Sequence, residues 1–225
     1  MHEKHVQEQS IYYFPNWIDT AAVFPLIGVN QYRETFHFGA NDLVLLYSGS
    51  IGQKQGAEIL IEAARRLSSK EHIHLVICGE GPGKLRLQQL AQGYANIHFL
   101  PVQPAESLNE LLNMADIHLL PQKAGAADLV MPSKLLGILA SGRPVISTCQ
   151  KGSELYNIVE RTGLTVPPED SALLVDAILD LANDETRRKE LGKKGRDFVC
   201  QNFSKDKILG ELTSTLMDMV DDRDR

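Results

Sequence analysis

Leu43-Val44-Leu45-Leu46-Tyr47-Ser48-Gly49-Ser50-Ile51-Gly52 is the stretch from which the fold is read. Its first five residues are an unbroken apolar run, the pattern of a strand buried on both faces. Ser48 to Gly52 then makes a glycine-bearing turn. From Gly56 to Leu67, the apolar residues Ile59, Leu60, Ala63, Ala64 and Leu67 recur at helical spacing. His74 to Cys78 is a second apolar run, closed by Gly79-Glu80-Gly81-Pro82. Strand, glycine turn, helix and strand in this order make a βαβ unit.

The alternation continues outward from this unit. Lys84 to Ala91 reads as a helix, Ile97 to Leu100 as a strand, Ala105 to Met114 as a helix and Ile117 to Leu120 as a strand. A loop from Pro121 leads to a helix opened by Pro132-Ser133-Lys134 and stopped by Gly142. Val145 to Ser147 follows as a strand, then a short helix over Glu154–Val159 and a sixth strand over Gly163–Val166. Beyond Pro168 the pattern is helical: one helix capped by Asp170 or Ser171, a charged one over Glu185–Val199 read as a solvated face, and one from Lys205 to about Met219. Ile11 to Phe14 is a short β-type run, and Trp17 is expected to pack on the domain.

Strands alternating with helices, without hairpin signals, predict an α/β fold: a Rossmann-like, doubly wound parallel sheet of about six strands with C-terminal helices. The order 3-2-1-4-5-6 places a ligand crevice at the carboxyl ends of the first and fourth strands. Residues 1–40 read as a linker and entering segment, 41–204 as the Rossmann-like domain, and 205–225 as a C-terminal helix and tail.

The 225 residues carry a net charge of −6, which argues against nucleic acid as a bulk partner. Cys78, Cys149 and Cys200 are widely spaced and odd in number, which fits a reducing compartment. The apolar runs are too short to span a bilayer, and the polar N-terminus is not a signal peptide. The expectation is a soluble, cytoplasmic protein, with peripheral membrane association left open. The seven histidines show no metal-ligand pattern.

Two segments at the predicted crevice carry candidate chemistry. In the first turn, Gly49 and Ser50 allow close approach of backbone to a phosphate and Lys54 adds charge, or the glycines only shape the turn. This is neither a P-loop nor the Gly-x-Gly-x-x-Gly dinucleotide fingerprint. Glu80 stands where a Rossmann acid binds ribose, but it is further from Gly49 than the usual gap of about 20 residues, which favours reading it as a solvated loop glutamate. In the second segment, Lys134 beside a helix N-terminus is unfavourable for the helix dipole, and an anionic ligand removes the conflict. A lysine directed to solvent is the alternative. Asp128 reads as a sugar-hydroxyl ligand or as a loop residue.

Pro132-Ser133-Lys134 with Ala140-Ser141-Gly142-Arg143-Pro144-Val145 resembles the signature of nucleotide-sugar-dependent glycosyltransferases of family 4, which have the GT-B fold. Phe14 to Asp19, Tyr47 to Gly56, Cys78 to Pro82 and Ala115 to Pro121 support the resemblance, which spans roughly residues 11–205. It is nearest to polysaccharide-type members such as colanic acid and O-antigen transferases. The resemblance implies the C-terminal, donor-binding half of a two-domain enzyme, with the N-terminal acceptor-binding domain missing from this chain. It further implies retaining, metal-independent hexosyl transfer from a UDP- or GDP-sugar in surface polysaccharide biosynthesis, without a cofactor. On this basis Ser133 and the N–H groups near Lys134 and Leu135 hold the diphosphate, with Gly49 and Lys54 beside it. Backbone at Val102 and Gln103 meets the base.

The chain departs from the family pattern in two places. Ser50 and Gln55 stand where many members have an arginine and a lysine. Leu129 and Gly137 stand where many have two glutamates, the second contacting ribose. These departures motivate an alternative, an inactive or partner-dependent interaction module derived from such a domain. A dinucleotide-dependent enzyme using the first turn is a third reading.

Overall fold

The computed structural model describes residues 11–52, 55–125 and 133–221. In chain order the elements are α1 (Gln31–Thr35), β1 (Leu43–Ser48), α2 (Glu58–Arg66), β2 (Ile73–Cys78), α3 (Lys84–Leu90), β3 (Ile97–Leu100), α4 (Leu108–Met114), β4 (Ile117–Pro121), α5 (Ser133–Ala140), β5 (Val145–Thr148), α6 (Glu154–Thr162), β6 (Leu164–Val166), α7 (Ser171–Ala182), α8 (Glu185–Asn202) and α9 (Lys205–Asp221). A 3-10 turn over Ala105–Ser107 leads into α4.

The six strands form one parallel sheet of order β3-β2-β1-β4-β5-β6, as the alternation predicts. Side chains of β1 alternate between two cores, as strand geometry requires. Leu43, Leu45 and Tyr47 join Leu60 of α2, Leu87 of α3 and Ile178 of α7. Val44 and Leu46 join Leu111 and Met114 of α4 on the opposite face. That face continues with α5, α6 and α8 around Leu135, Leu139, Ile158 and Val199. All carboxyl ends of the strands therefore open onto one edge of the molecule.

Asp116 ties this second layer to the sheet. Its carboxylate accepts the Val44 N–H at 2.8 Å and the Arg33 guanidinium of α1 at 2.9 Å. Asp170 caps α7 by accepting the Leu173 N–H at 2.9 Å. Gly142 ends α5 with φ 69°, the left-handed stop expected of it.

Two expectations are corrected. Ile11 to Phe14 forms no strand and is exposed; the N-terminal segment joins the fold further on, through a bridge from Ile18 to Ser204, the buried Val23, and hydrogen bonds from Phe24 and Leu26 to Asn109 and Asn113 of α4. Trp17 lies against the domain, 39% exposed, with the Lys205 ammonium of α9 5.9 Å from its ring centroid. Helix α8 is not only a solvated face. Gly192, Gly195 and Val199 are buried on its inner side. A Cβ at Gly192 would overlap the Gly142 carbonyl, and one at Gly195 would lie 2.9 Å from Leu139 Cδ2. The two glycines let α8 press directly onto α5.

Candidate functional site

The carboxyl edge is built by loops that stitch to one another. The Gly49 N–H donates to the Cys78 carbonyl at 2.9 Å, and the Ile51 N–H to the Glu80 carbonyl at 2.9 Å. The Gly83 N–H returns to the Ile51 carbonyl at 3.0 Å, and the Gly79 N–H reaches the Leu100 carbonyl at 3.1 Å. Gly79 has φ 155°, and a Cβ on it would collide with the Gly49 carbonyl oxygen. Only glycine permits the β1 and β2 turns to lie this close. The β3 turn joins through Cys78, whose thiol donates to the Pro101 carbonyl at 3.2 Å.

Helix α5 begins at this edge. Its first N–H groups, at Ser133, Lys134 and Leu135, have no intrahelical partner by helix geometry. Leu135 fixes the helix by burying its side chain completely, while Ser133 is exposed. Lys134 folds back over the β1 turn. Its Cδ and Nζ lie 3.4 and 3.5 Å from where a Gly49 Cβ would stand, and Nζ is 4.7 Å from the centre of the Tyr47 ring. Among the described residues no carboxylate pairs with it. Burial pushes the Lys134 ammonium down from its ordinary value to about 8. Of its two sequence readings, the solvent-directed one does not match this geometry. A cation held partly out of water, at a helix start and with no carboxylate partner among the described residues, favours an anion.

The structure thus brings Gly49, Ser133, Lys134 and Leu135 together, with Ser50 in the exposed part of the same turn. Glu80 lies on the adjoining turn, where its exposed carboxylate is ion-paired to Lys84 of α3. Val102 is exposed. The Gln103 side chain is held by two hydrogen bonds: its Oε1 accepts from the Tyr32 hydroxyl at 3.0 Å and its Nε2 donates to the Pro101 carbonyl at 2.8 Å. Lys54, Asp128 and Pro132 lie outside the described residues, as does Leu129. Gly137 is buried, and a Cβ there would lie 3.5 Å from Leu112 Cδ1. A glutamate at 137 would start out in ordinary contact with Leu112 of α4. No cluster of His, Cys, Asp and Glu suited to a metal is formed among the described residues.

Sequence reading gives Tyr47 no role at the site; it enters there as the end of an apolar run and the start of the Tyr47–Gly56 stretch. The signal was there: a tyrosine ending a strand at the crevice needs a partner for its hydroxyl. That partner is the Ser50 carbonyl, 2.6 Å away.

The domain is thus a doubly wound α/β fold with a helix start at its switch point, the place where such folds bind their ligands. Residues 29–198 match the family described as Glycosyl transferases group 1, and the chain belongs to that family. Among relatives, WcaI of Escherichia coli (strain K12), whose name describes a glycosyl transferase of colanic acid biosynthesis, is 40% identical over 183 residues, covering 78% of this chain and 45% of that protein. Among solved structures, Anabaena Alr3699/HepE in complex with UDP-glucose superposes with a TM-score of 0.80 at 16% identity, over 96% of this chain and 60% of that one. The C-terminal domain of a group 1 glycosyl transferase (LpcC) from Francisella tularensis gives a TM-score of 0.65 at 20% identity, over 84% of this chain and 99% of that one. The chain spans about half the length of the relatives it matches. No helix among the described residues is long and apolar enough to cross a membrane.

Proposed function

We propose that this chain is the donor-binding half of a nucleotide-sugar-dependent glycosyltransferase. The reaction is retaining, metal-independent hexosyl transfer from a UDP- or GDP-sugar in surface polysaccharide biosynthesis, in the cytoplasm. The observation that carries the reading is Lys134: a partly buried ammonium at the start of α5, against Gly49, with no carboxylate partner among the described residues. When the glycosidic bond to the donor breaks, negative charge develops on the leaving diphosphate. Fixed N–H dipoles and a desolvated cation stabilise that charge without a metal. In this assignment the N–H groups at Ser133 and Leu135 and the Lys134 ammonium hold the diphosphate. Gly49 and Ser50 flank it, as does Lys54. Backbone at Val102 and Gln103 meets the base, Glu80 or Asp128 the ribose or sugar hydroxyls, and Pro132 sets the helix start. HepE, solved with UDP-glucose, agrees with the donor class, and the name of WcaI agrees with transfer in polysaccharide biosynthesis.

Residues 1–40 then enter from an acceptor-binding domain, the Rossmann-like unit spans 41–204, and 205–225 is a terminal helix and tail. The coverage of the relatives supports this. So do two apolar surfaces at the chain ends. Tyr13, Phe14 and Trp17 are exposed on the entering segment, and Leu216, Met217 and Val220 are exposed on α9. Calorimetric titration with UDP, GDP, several of their sugars and NADH tests the reading. Binding of at least one nucleotide sugar at millimolar concentration or below, without NADH binding, is the expected result. Binding of none of the nucleotides and sugars would leave the interaction-module reading in its place.

A further inference from the structure

The crevice contains a side chain with no task in the assignment above, and it touches both halves of the site. Tyr47 is completely buried at the end of β1. Its ring lies under Lys134 Nζ at 4.7 Å, and its hydroxyl donates to the Ser50 carbonyl at 2.6 Å. Two structurally separate parts of the crevice, the α5 start and the β1 turn, are thus held by one residue.

The choice of an aromatic ring rather than a carboxylate has a chemical consequence. A carboxylate beside Lys134 would neutralise it and would repel an incoming diphosphate. The negative face of a ring attracts the ammonium but leaves its charge uncompensated. Burial raises the Tyr47 phenol to about 12, so the ring stays neutral throughout the physiological range. Among the described residues, Glu80 and Lys84 on the adjoining turn are paired with each other, and Lys123 lies further along, against Gly56.

We propose that Tyr47 is a positioning residue for diphosphate binding, whose ring seats the Lys134 ammonium while its hydroxyl ties down the Gly49–Ile51 turn. This rests on the nucleoside diphosphate reading of the crevice. The two contacts are separable by experiment. Tyr47→Phe removes only the hydroxyl. Replacing the tyrosine by mono-, di- and trifluorinated phenylalanine then keeps the ring's shape while each fluorine weakens its negative face, so packing is preserved across the series.

The measurement is affinity for UDP-glucose and GDP-mannose between pH 6.5 and 9.5. With fluorination, the pH above which binding weakens should move down progressively, costing on the order of 5- to 30-fold in affinity at pH 8 across the series. In a Lys134→Ala background the same series should have no effect, a result that a purely structural role for the ring would not give. Tyr47→Phe should weaken binding about 2- to 10-fold in both backgrounds, by freeing the Ser50 carbonyl. If Lys134→Ala weakens binding but fluorination leaves the pH profile unchanged, the ring's role is overturned and the functional reading stands. If Tyr47→Phe binds as the wild type does, the role of the hydroxyl is overturned. If the wild type binds neither sugar nucleotide nor UDP nor GDP, the functional reading falls and this proposal with it.

Discussion

Lys134 is costly to the ligand-free protein and useful to the complex. Its ordinary value is 10.5, and burial lowers it to about 8 in the fold. Below about pH 8 the folded protein holds a charge that prefers water. This cost is fully present at pH 7 and disappears as pH rises from about 8 to 10.5, where the unfolded chain still holds the proton. Lys134→Met should therefore raise the melting temperature of the ligand-free protein at pH 7, read by calorimetry, while reducing diphosphate binding. Lys134→Ala should weaken binding of a nucleoside diphosphate by about 1–3 kcal/mol, the range for losing a hydrogen bond to a charged group. An unchanged affinity would return Lys134 to a packing role. A nucleotide sugar has no phosphate monoester to titrate near neutral pH, so its affinity should fall as pH rises through about 8. At pH 8.5 its binding should take up protons, making the apparent enthalpy depend on the buffer's ionisation heat.

At the scale of elements, the glycine turns and the β4–α4 contact make the account testable. Gly79→Ala places a methyl group against the Gly49 carbonyl, while Gly93, also at positive φ, has open space around it. Gly93→Ala should cost only the backbone penalty of about 1–2 kcal/mol. Gly79→Ala should cost more in urea melts and should also weaken nucleotide binding, since the β1 turn must move. Buried His118 on β4 sits with Nε2 3.0 Å from the Leu112 carbonyl, so that nitrogen carries the proton. Burial drives its value to about 3, well below the usual 6.5. The fold keeps it neutral and the unfolded chain protonates it, so its contribution is present above pH 6.5 and is lost as pH falls toward 3. Between pH 6.5 and 5 it should account for about 2 kcal/mol of lost stability, and His118→Gln should flatten that part of the profile. These elements were legible to different degrees. Strand order followed from the alternation at Leu43–Tyr47 and its repeats, because a buried parallel sheet writes itself as apolar runs. The inner face of α8 was not legible, because its contact with α5 is made by Gly192 and Gly195, which add nothing to an apolar stripe. Nor was Ile11–Phe14, whose β-type residues have no strand to pair with. Lys134 was legible as an anomaly at a helix start; its seat on Tyr47 was not, since residues 87 apart meet only through the fold.

For the whole molecule, the exposed apolar faces at the two chain ends belong to surface rather than to core. Leu216→Lys combined with Val220→Lys should leave the melting temperature nearly unchanged, within about 0.5 kcal/mol per site, because α9 buries only Ile208. A large loss of stability would mean that α9 is part of the domain's own core. If the proposed division of labour holds, with the acceptor bound by a separate domain, the chain by itself should bind the donor and yet transfer no sugar. The central claim is narrower than transfer: a nucleoside diphosphate binds where the β1 turn meets the start of α5. Its most direct test is an amide NMR titration of the ¹⁵N-labelled chain with UDP and with GDP. Saturable shifts concentrated at Gly49–Ile51 and Ser133–Leu135, and absent in Lys134→Ala at the same concentration, are the predicted result. Shifts confined to other surfaces, or none at millimolar nucleotide, would contradict it.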